Sequence, residues 1–403
     1  MHILVFNSGS SSLKFQLFKE GANAPVSILQ GTVRGLGDEA TCEWIYDGKL
    51  EHTSISANDH DDAAGHVLDL LENRIDRGQS LLDGVAVIGH RIVHGGDAFS
   101  APTLITEHTL SALDALSPLA PLHNPPALAV VRACRARLVD VPMVAVFDTA
   151  FFQRLPDFVR AYALPAEWTK QPQGIRRYGF HGLAHRYMSE RYFSISGVDT
   201  ASSRVITLQL GHGCSVAAIH AGRPLETSMG FTPMEGLIMA TRPGDVDVGI
   251  VQHLLERGTV TVRELSDGLN YRAGLLGLSG VSADMQTLLT LEAQGHAGAR
   301  LAVQAFCHRA RKYLGAYLAV LGGADAIIFG GGIGEHAAEI RERICVGMEW
   351  CGLALDTQTN QETTGVEARI STTDSRLTAW VIPVDEESLI AQDTVNCLSA
   401  AMK

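Results

Sequence analysis

The chain has 403 residues, 46% hydrophobic and 19% charged, a composition that supports a large buried core and makes two domains the expectation. Its 32 basic against 44 acidic residues leave a net charge of −12, which argues against a broad nucleic-acid or anionic-membrane surface while leaving room for a local basic site. Seven scattered cysteines form no CxxC pair, so neither a zinc ribbon nor a disulfide framework is expected, and a reducing, cytoplasmic setting is. The start, MHILVFNSG, carries no basic leader. The most apolar stretch, 314–333, contains Asp325 and several glycines, which reads as a buried helix followed by a strand and not as a membrane span.

In chain order, ILVFNSGSSSLKFQLF (3–18) predicts a strand, a polar bend and a second strand, with Asn7, Ser10, Ser12 and Lys14 at the bend. The spacing of Val67, Leu68, Leu71 and Ile75 predicts a helix over 63–75. The apolar run 85–90 predicts a strand that delivers His90 and Arg91 at its end. In APLHNPPAL (120–128), His123 precedes a helix start, with Asn124 as the cap and Pro125 at the first helical position. A strand over 143–148 delivers Asp148. RRYGFHGLAHRYM (176–188) spaces His181 and His185 at i,i+4, a zinc-binding spacing that here lacks both an intervening Glu and a third ligand. A His181 that donates to an oxyanion is the better reading of that segment.

The rhythm of the first hairpin returns in VITLQLGHGCSVAAI (205–219), about half the chain away. Two related α/β domains, each with a phosphate-contacting hairpin, are the expectation. MATRPGDVD delivers Arg242, which with Arg91 could clamp an anionic reactant, although an ordinary ion pair accounts for either arginine alone. IIFGGGIGEHAAEIRERI (327–344) reads as strand, Gly-rich turn and helix, whose first amides favour an anion; it is neither a Walker A loop nor a GxGxxG. In WVIPVDEESLIAQDTV (380–395), Asp385, Glu386 and Glu387 either cap a helix or organise Mg²⁺.

Taken in order, NSGSSSLKF, HRIVHGG, APLHNPP, VFDTAFF, RRYGFHG, ETSMGFTPMEGLIMATRPGD, FGGGIGE and PVDEE run from residue 7 to 387, and together they resemble the acetate kinase family of the actin, hexokinase and heat-shock-chaperone superfamily. The resemblance implies duplicated ribonuclease-H-like α/β domains flanking an active-site cleft: an N-terminal domain over 1–150 completed by 385–403, and a nucleotide-binding and dimerisation domain over 151–384. It implies reversible phosphoryl transfer from ATP to acetate with Mg²⁺ (Mn²⁺ as the alternative ion), in a cytoplasmic homodimer with no nucleic-acid or membrane partner. Arg91, His123, Asp148, His181 and Arg242 fall on catalytic positions, and Asn7 and Glu386 on the metal side. Val93, Leu122, Phe180 and Pro233, with Arg91, match the acetate pocket. Ser10, Ser12 and Lys14, Gly211, His212 and Gly213, Asp284, Met285 and Gln286, and Gly331, Gly332 and Ile333 fall on the nucleotide side.

The chain departs from the family pattern chiefly on that nucleotide side: His212 stands for an Asn, Gln286 for an Arg and His336 for an Asn, while Asp385 stands for an Asn near the metal position. Drift in a tolerant pocket is the plain account, and a changed phosphoryl donor, GTP or pyrophosphate, is the sharper one. Propionate kinase activity is the other enzymatic alternative, and an actin-like nucleotide switch the non-enzymatic one.

Overall fold

Strand-forming runs and helix-forming runs alternate along the chain, and in the computed structural model they assemble into two compact units, residues 1–153 with 385–403, and 154–384. The structure describes residues 1–9, 11–21, 24–37, 39–76, 78–170 and 174–401; Ser10 lies outside them.

In the first unit the strands are β1 (His2–Ser8), β2 (Ser12–Lys19), β3 (Val26–Arg34), β4 (Thr41–Tyr46), β5 (Lys49–Ser54), a small pair β6 (Ile75–Asp76) and β7 (Gln79–Ser80), then β8 (Val85–Ile92), β9 (Thr103–Leu104) and β10 (Met143–Phe147). Eight of them form one sheet in the order β5-β4-β3-β2-β1-β8-β10-β9. β1, β8 and β10 run parallel, and β1 turns into β2 as an antiparallel hairpin with Asn7 opposite Lys14. Parallel strands need both faces covered. On one face lie the helices His60–Glu72 and Asn124–Arg137, whose Val67, Leu68, Leu71, Val130 and Val131 pack with Leu4, Phe6 and Ile88. The last helix, Glu386–Ala401, also packs on this sheet: a Cβ on Gly89 would lie 2.3 Å from Thr394 Oγ1 and 2.9 Å from Ile390. Only a glycine admits that close approach.

The predicted helix over 63–75 begins and ends earlier. Asp59 caps it by accepting from Asp62 N–H, it stops at Glu72, and Ile75 stands exposed outside it. At the second helix Asn124 is the first helical residue and His123 the cap position, where no side chain caps. Asn124 is drawn inward by a stronger demand. Its Oδ1 accepts from His94 N–H and its Nδ2 donates to the His94 carbonyl, both at 3.0 Å and both buried.

The second unit repeats the plan. Its strands β11 (Arg204–Leu210), β12 (Cys214–His220), β13 (Arg223–Thr227), β14 (Ala326–Gly330), β15 (Ala368–Arg369) and β16 (Thr378–Val381) form a sheet in the order β13-β12-β11-β14-β16-β15. Here too a hairpin, β11 and β12, leads into two parallel neighbours and an antiparallel edge strand. The fold is therefore α/β, with one sheet pattern used twice. The buried helix expected within 314–333 is the end of Ala297–Leu321, and β14 is the strand after it. Among the described residues no helix is long and apolar enough to cross a membrane.

Candidate active site

Ligand sites in open α/β sheets gather at the carboxyl ends of the parallel strands, and each unit places a polar cluster there. In the first unit Asn7 is the penultimate residue of β1, Arg91 the penultimate residue of β8, and Asp148 directly follows β10. Arg91 binds Asp148 through two parallel bonds, Nε to Oδ1 at 2.9 Å and Nη2 to Oδ2 at 2.6 Å, and its Nη1 donates to Asn7 Oδ1 at 2.9 Å. The other end of the Asn7 amide donates to Glu386 Oε2 (3.0 Å) and Glu387 Oε1 (2.8 Å), and Lys14 Nζ lies 3.7 Å from Glu387. Asp148 is fully buried, and Arg91 remains 13% exposed at its side chain, enough to reach a ligand with the two N–H groups not used in these bonds. Burial alone would pull the Arg91 guanidinium down, but the charges of Asp148 and then Glu386 outweigh it and hold it above its ordinary value.

Three acidic side chains against two basic ones make this a cluster with hard oxygen donors, the kind Mg²⁺ prefers. Asn7 is a bridge within it, since its carbonyl oxygen is turned to Arg91. Asp385 and Glu386 divide the two readings of the acidic turn: Asp385 accepts from Ser388 N–H at 2.9 Å as a cap, and Glu386 enters the Asn7 cluster. Among the described residues no group of three or more His, Cys, Asp or Glu is arranged to hold a metal unaided. His90, delivered by the same strand as Arg91, is not part of the cluster. It is buried in the core and stacks on Phe6 at 5.8 Å. Val93 is buried, and Leu122 and His123 are half-buried in the segment before the second helix. At the bend Ser12 accepts through its carbonyl from Gly9 N–H at 2.8 Å, and His60 Nε2 binds the Gly9 carbonyl at 2.9 Å.

In the second unit the cluster gathers at the β11–β12 turn. His181 is the cap residue of the helix Gly182–Ser196 and adopts a left-handed conformation, φ 58°. That conformation costs a non-glycine residue about 1–2 kcal/mol. A Cβ on Gly213 would fall 2.8 Å from Arg242 Nη2 and 3.1 Å from His181 Nε2, so the two side chains converge on the bare turn. Arg242 Nη1 donates to the Pro233 carbonyl. Among the described residues no carboxylate pairs with Arg242, and burial lowers its guanidinium below the ordinary value. Burial, then Arg242, also lowers the His212 imidazole, which keeps that ring neutral beside the arginine.

The segment bearing Pro233 and Arg242 is pinned by a residue the sequence reading passed over. Arg177 donates to the carbonyls of Thr227 (3.1 Å), Ser228 (3.4 Å) and Met229 (3.1 Å) and to Glu235 Oε1 (2.6 Å). Phe180 is buried and Pro233 half-buried. The nucleotide-side residues separate into two places. Gly332 would leave a Cβ in open space, and the backbone N of Gly332 lies 3.9 Å from where a Gly211 Cβ would stand. Gly331, with φ 74°, does not offer its amide to a ligand: the N–H is taken by Glu335 Oε1 at 2.8 Å. Asp284 caps the helix Met285–Ala293 by accepting from Thr287 N–H at 2.8 Å, with Met285 buried and Gln286 exposed. His181 and His185 do not share a metal face. Each ring binds Ser215 Oγ at 2.8 Å, an arrangement that i,i+4 spacing alone does not reveal.

A family model described as the acetokinase family matches residues 2–392. An acetate kinase of Solibacter usitatus is 44% identical over 410 aligned positions, covering 99% of this chain and 98% of the relative. The crystal structure of Porphyromonas gingivalis acetate kinase superposes with a TM-score of 0.90 at 39% identity, over 98% of this chain and 99% of that one. A propionate kinase from Francisella tularensis superposes equally well, TM-score 0.90, at 36% identity and with the same coverage.

Proposed function

The chain belongs to the acetokinase family, and from that premise we propose how its residues carry out phosphoryl transfer. The reaction is that of an acetate kinase, reversible transfer of a phosphoryl group from ATP to acetate giving acetyl phosphate and ADP. The observation that carries our reading is Arg242, a largely buried guanidinium with no carboxylate partner among the described residues, side by side with His181 Nε2 at the Gly213 turn. A cation in that state calls for an anionic guest. We assign the transferring phosphoryl group to it, with His181 donating to an equatorial oxygen and His123 as a supporting donor. Positioning and charge compensation dominate phosphoryl transfer. Acetate is ionised at neutral pH, so no general base is needed.

Arg91, held flat by Asp148, orients the acetate carboxylate. Its loss or that of Arg242 should cost about 10³-fold or more in rate. Asp148 and Glu386 would hold Mg²⁺, directly or through water, with Asn7 fixing their spacing; the bound ion would neutralise phosphate charge. Val93, Leu122, Phe180 and Pro233 are the groups we assign to the methyl. Lys14, Ser12, His212 and Gly213 serve the phosphates, and Asp284, Gln286, Gly332 and Ile333 the nucleoside. The helix Val248–Glu256 buries none of its residues, with Val248 81% exposed, which supports assembly as a homodimer. We place the enzyme in the cytoplasm.

Acyl phosphate trapped with hydroxylamine, using acetate, propionate or butyrate with ATP, GTP or pyrophosphate, tests the reading. Acetate with ATP is expected to give the highest kcat/KM. Propionate in first place would make the chain a propionate kinase, the activity named for the Francisella tularensis neighbour. Activity only with another donor would move the surprise to His212 and Gln286. ATP hydrolysis indifferent to any carboxylic acid would favour a nucleotide switch.

A further inference from the structure

Behind His181 three polar side chains stand in a line, each fully buried. His181 Nδ1 lies 2.8 Å from Ser215 Oγ on β12; Ser215 Oγ lies 2.8 Å from His185 Nε2; His185 Nδ1 lies 2.7 Å from Thr207 Oγ1 on β11. Thr207, His185 and Ser215 have no exposed surface, so water does not enter the chain of bonds. Burial, and after it the neighbouring His181, holds the His185 imidazole well below its ordinary value, and the ring is neutral.

A neutral imidazole has one N–H, and a serine hydroxyl has one proton to give. With both histidines neutral, the chain therefore has two polarities. If His185 carries its proton on Nδ1, it donates to Thr207, its Nε2 accepts from Ser215, and Ser215 must accept from His181 Nδ1–H. His181 then turns a lone pair on Nε2 toward Gly213. If His185 carries its proton on Nε2, it donates to Ser215, Ser215 donates to His181 Nδ1, and Nε2–H of His181 faces the turn beside Arg242. Only the second form offers an anion two donors.

We propose that His185 is a positioning residue: through Ser215 its tautomer decides which nitrogen of His181 carries the proton, and a phosphoryl anion at the Gly213 turn selects the form with Nε2–H. No net proton is gained or lost. When the helix opens locally, each ring gives the proton on one nitrogen to water and takes one back on the other, and the serine hydroxyl rotates, so the change is a reversal of bond direction. The proposal rests on the assignment of His181 to the phosphoryl group.

Two substitutions of the same residue test it. In His185→Gln the amide nitrogen can reach the Nε2 position and donate to Ser215, whereas the shorter His185→Asn reaches only the Nδ1 position. The Asn variant is expected to lose about 10²-fold in kcat, the cost of a misdirected group, with smaller changes in KM for ATP and acetate; the Gln variant should recover most of that loss. In ¹⁵N spectra of histidine-labelled wild-type protein, Mg-ATP without acetate should shift His181 to the Nε2–H tautomer, and the shift should vanish in His185→Asn. Ser215→Ala cuts the chain while keeping both rings and must show the same kinetic loss, which keeps the test decisive if His185→Asn does not fold. Equal kcat in the Asn and Gln variants, or a His181 tautomer unmoved by Mg-ATP in the wild type, overturns the proposal. If His181→Ala retains full activity, the assignment of His181 itself has failed; an inactive His181→Ala beside a fully active His185→Asn defeats only the relay.

Discussion

Asp148 grips Arg91 along one edge of the guanidinium, with bonds of 2.9 and 2.6 Å, and leaves the opposite side to Asn7. The arginine is thereby fixed in plane before any ligand arrives, so orientation entropy is spent in folding and not in binding. Asp148→Asn keeps the shape but surrenders the charge and one of the two bonds. We expect a loss of about 3 kcal/mol in stability, as for a broken buried pair, and a kcat at least about 10²-fold lower. Urea denaturation and acyl phosphate assays would read the two effects; unchanged kcat would mean that Arg91 needs no such grip.

Gly213→Ala separates activity from fold. The added methyl meets the end of Arg242 at 2.8 Å and the His181 ring at 3.1 Å, so its three nearest atoms all belong to side chains. Side-chain ends can yield, so the melting temperature should stay close to wild type while kcat drops by about 10²-fold. A variant that melts much earlier would show that the turn itself cannot adjust.

Asn124 closes two bonds on His94 with one amide. Asn124→Ala strands a buried N–H and a buried carbonyl, at about 1–3 kcal/mol each. The denaturation midpoint should fall accordingly, and KM for acetate should rise because Val93 adjoins the released backbone. A midpoint shift without any change in KM would confine Asn124 to a structural role.

Acid should weaken the fold through its buried histidines. Burial pushes His90 down to about 3 and His94 to about 4, against 6.5 in the unfolded chain. The folded state thus binds fewer protons than the unfolded one, so stability is whole above pH 6.5 and declines as pH falls from there toward the folded values. At pH 5 the loss is about 2 kcal/mol per histidine. Among the described residues neither nitrogen of His90 has a hydrogen-bond partner. His90→Phe should therefore keep the stack on Phe6, shallow the pH dependence and stabilise the protein most at pH 5. Parallel melts at pH 7.5 and pH 5 would show it; an identical slope in both proteins would assign the acid sensitivity elsewhere.

Both hairpins, the strands that deliver Arg91 and Asp148 and the acidic turn at Glu386 were legible in the sequence, because period-two apolar runs and turn residues are local signals. The relay was not. Ser215 and Thr207 lie on paired strands and His185 on a helix, and what joins them is the packing of that helix on the sheet. His185 was visible only as one half of an i,i+4 pair, a zinc-type spacing without a third ligand. Asn124 was misread as a cap because the local rule for helix starts is sound, and a tertiary partner, the His94 backbone, outbid it. Glu387 was read with its neighbours as a helix cap or a Mg²⁺-organising carboxylate; the bond it takes from Asn7, 380 positions away in the chain, was not legible.

That long return has a consequence for biosynthesis. The chain leaves the first unit at Gln153 and re-enters it at Asp385, with the second unit as one uninterrupted stretch between. As the polypeptide emerges from the ribosome, the second unit has all its strands in hand while the first still lacks the helix that covers Gly89 and the glutamates that hold Asn7. Order of synthesis and order of completion are thus inverted: the segment made first is completed only once the helix Glu386–Ala401 has been made.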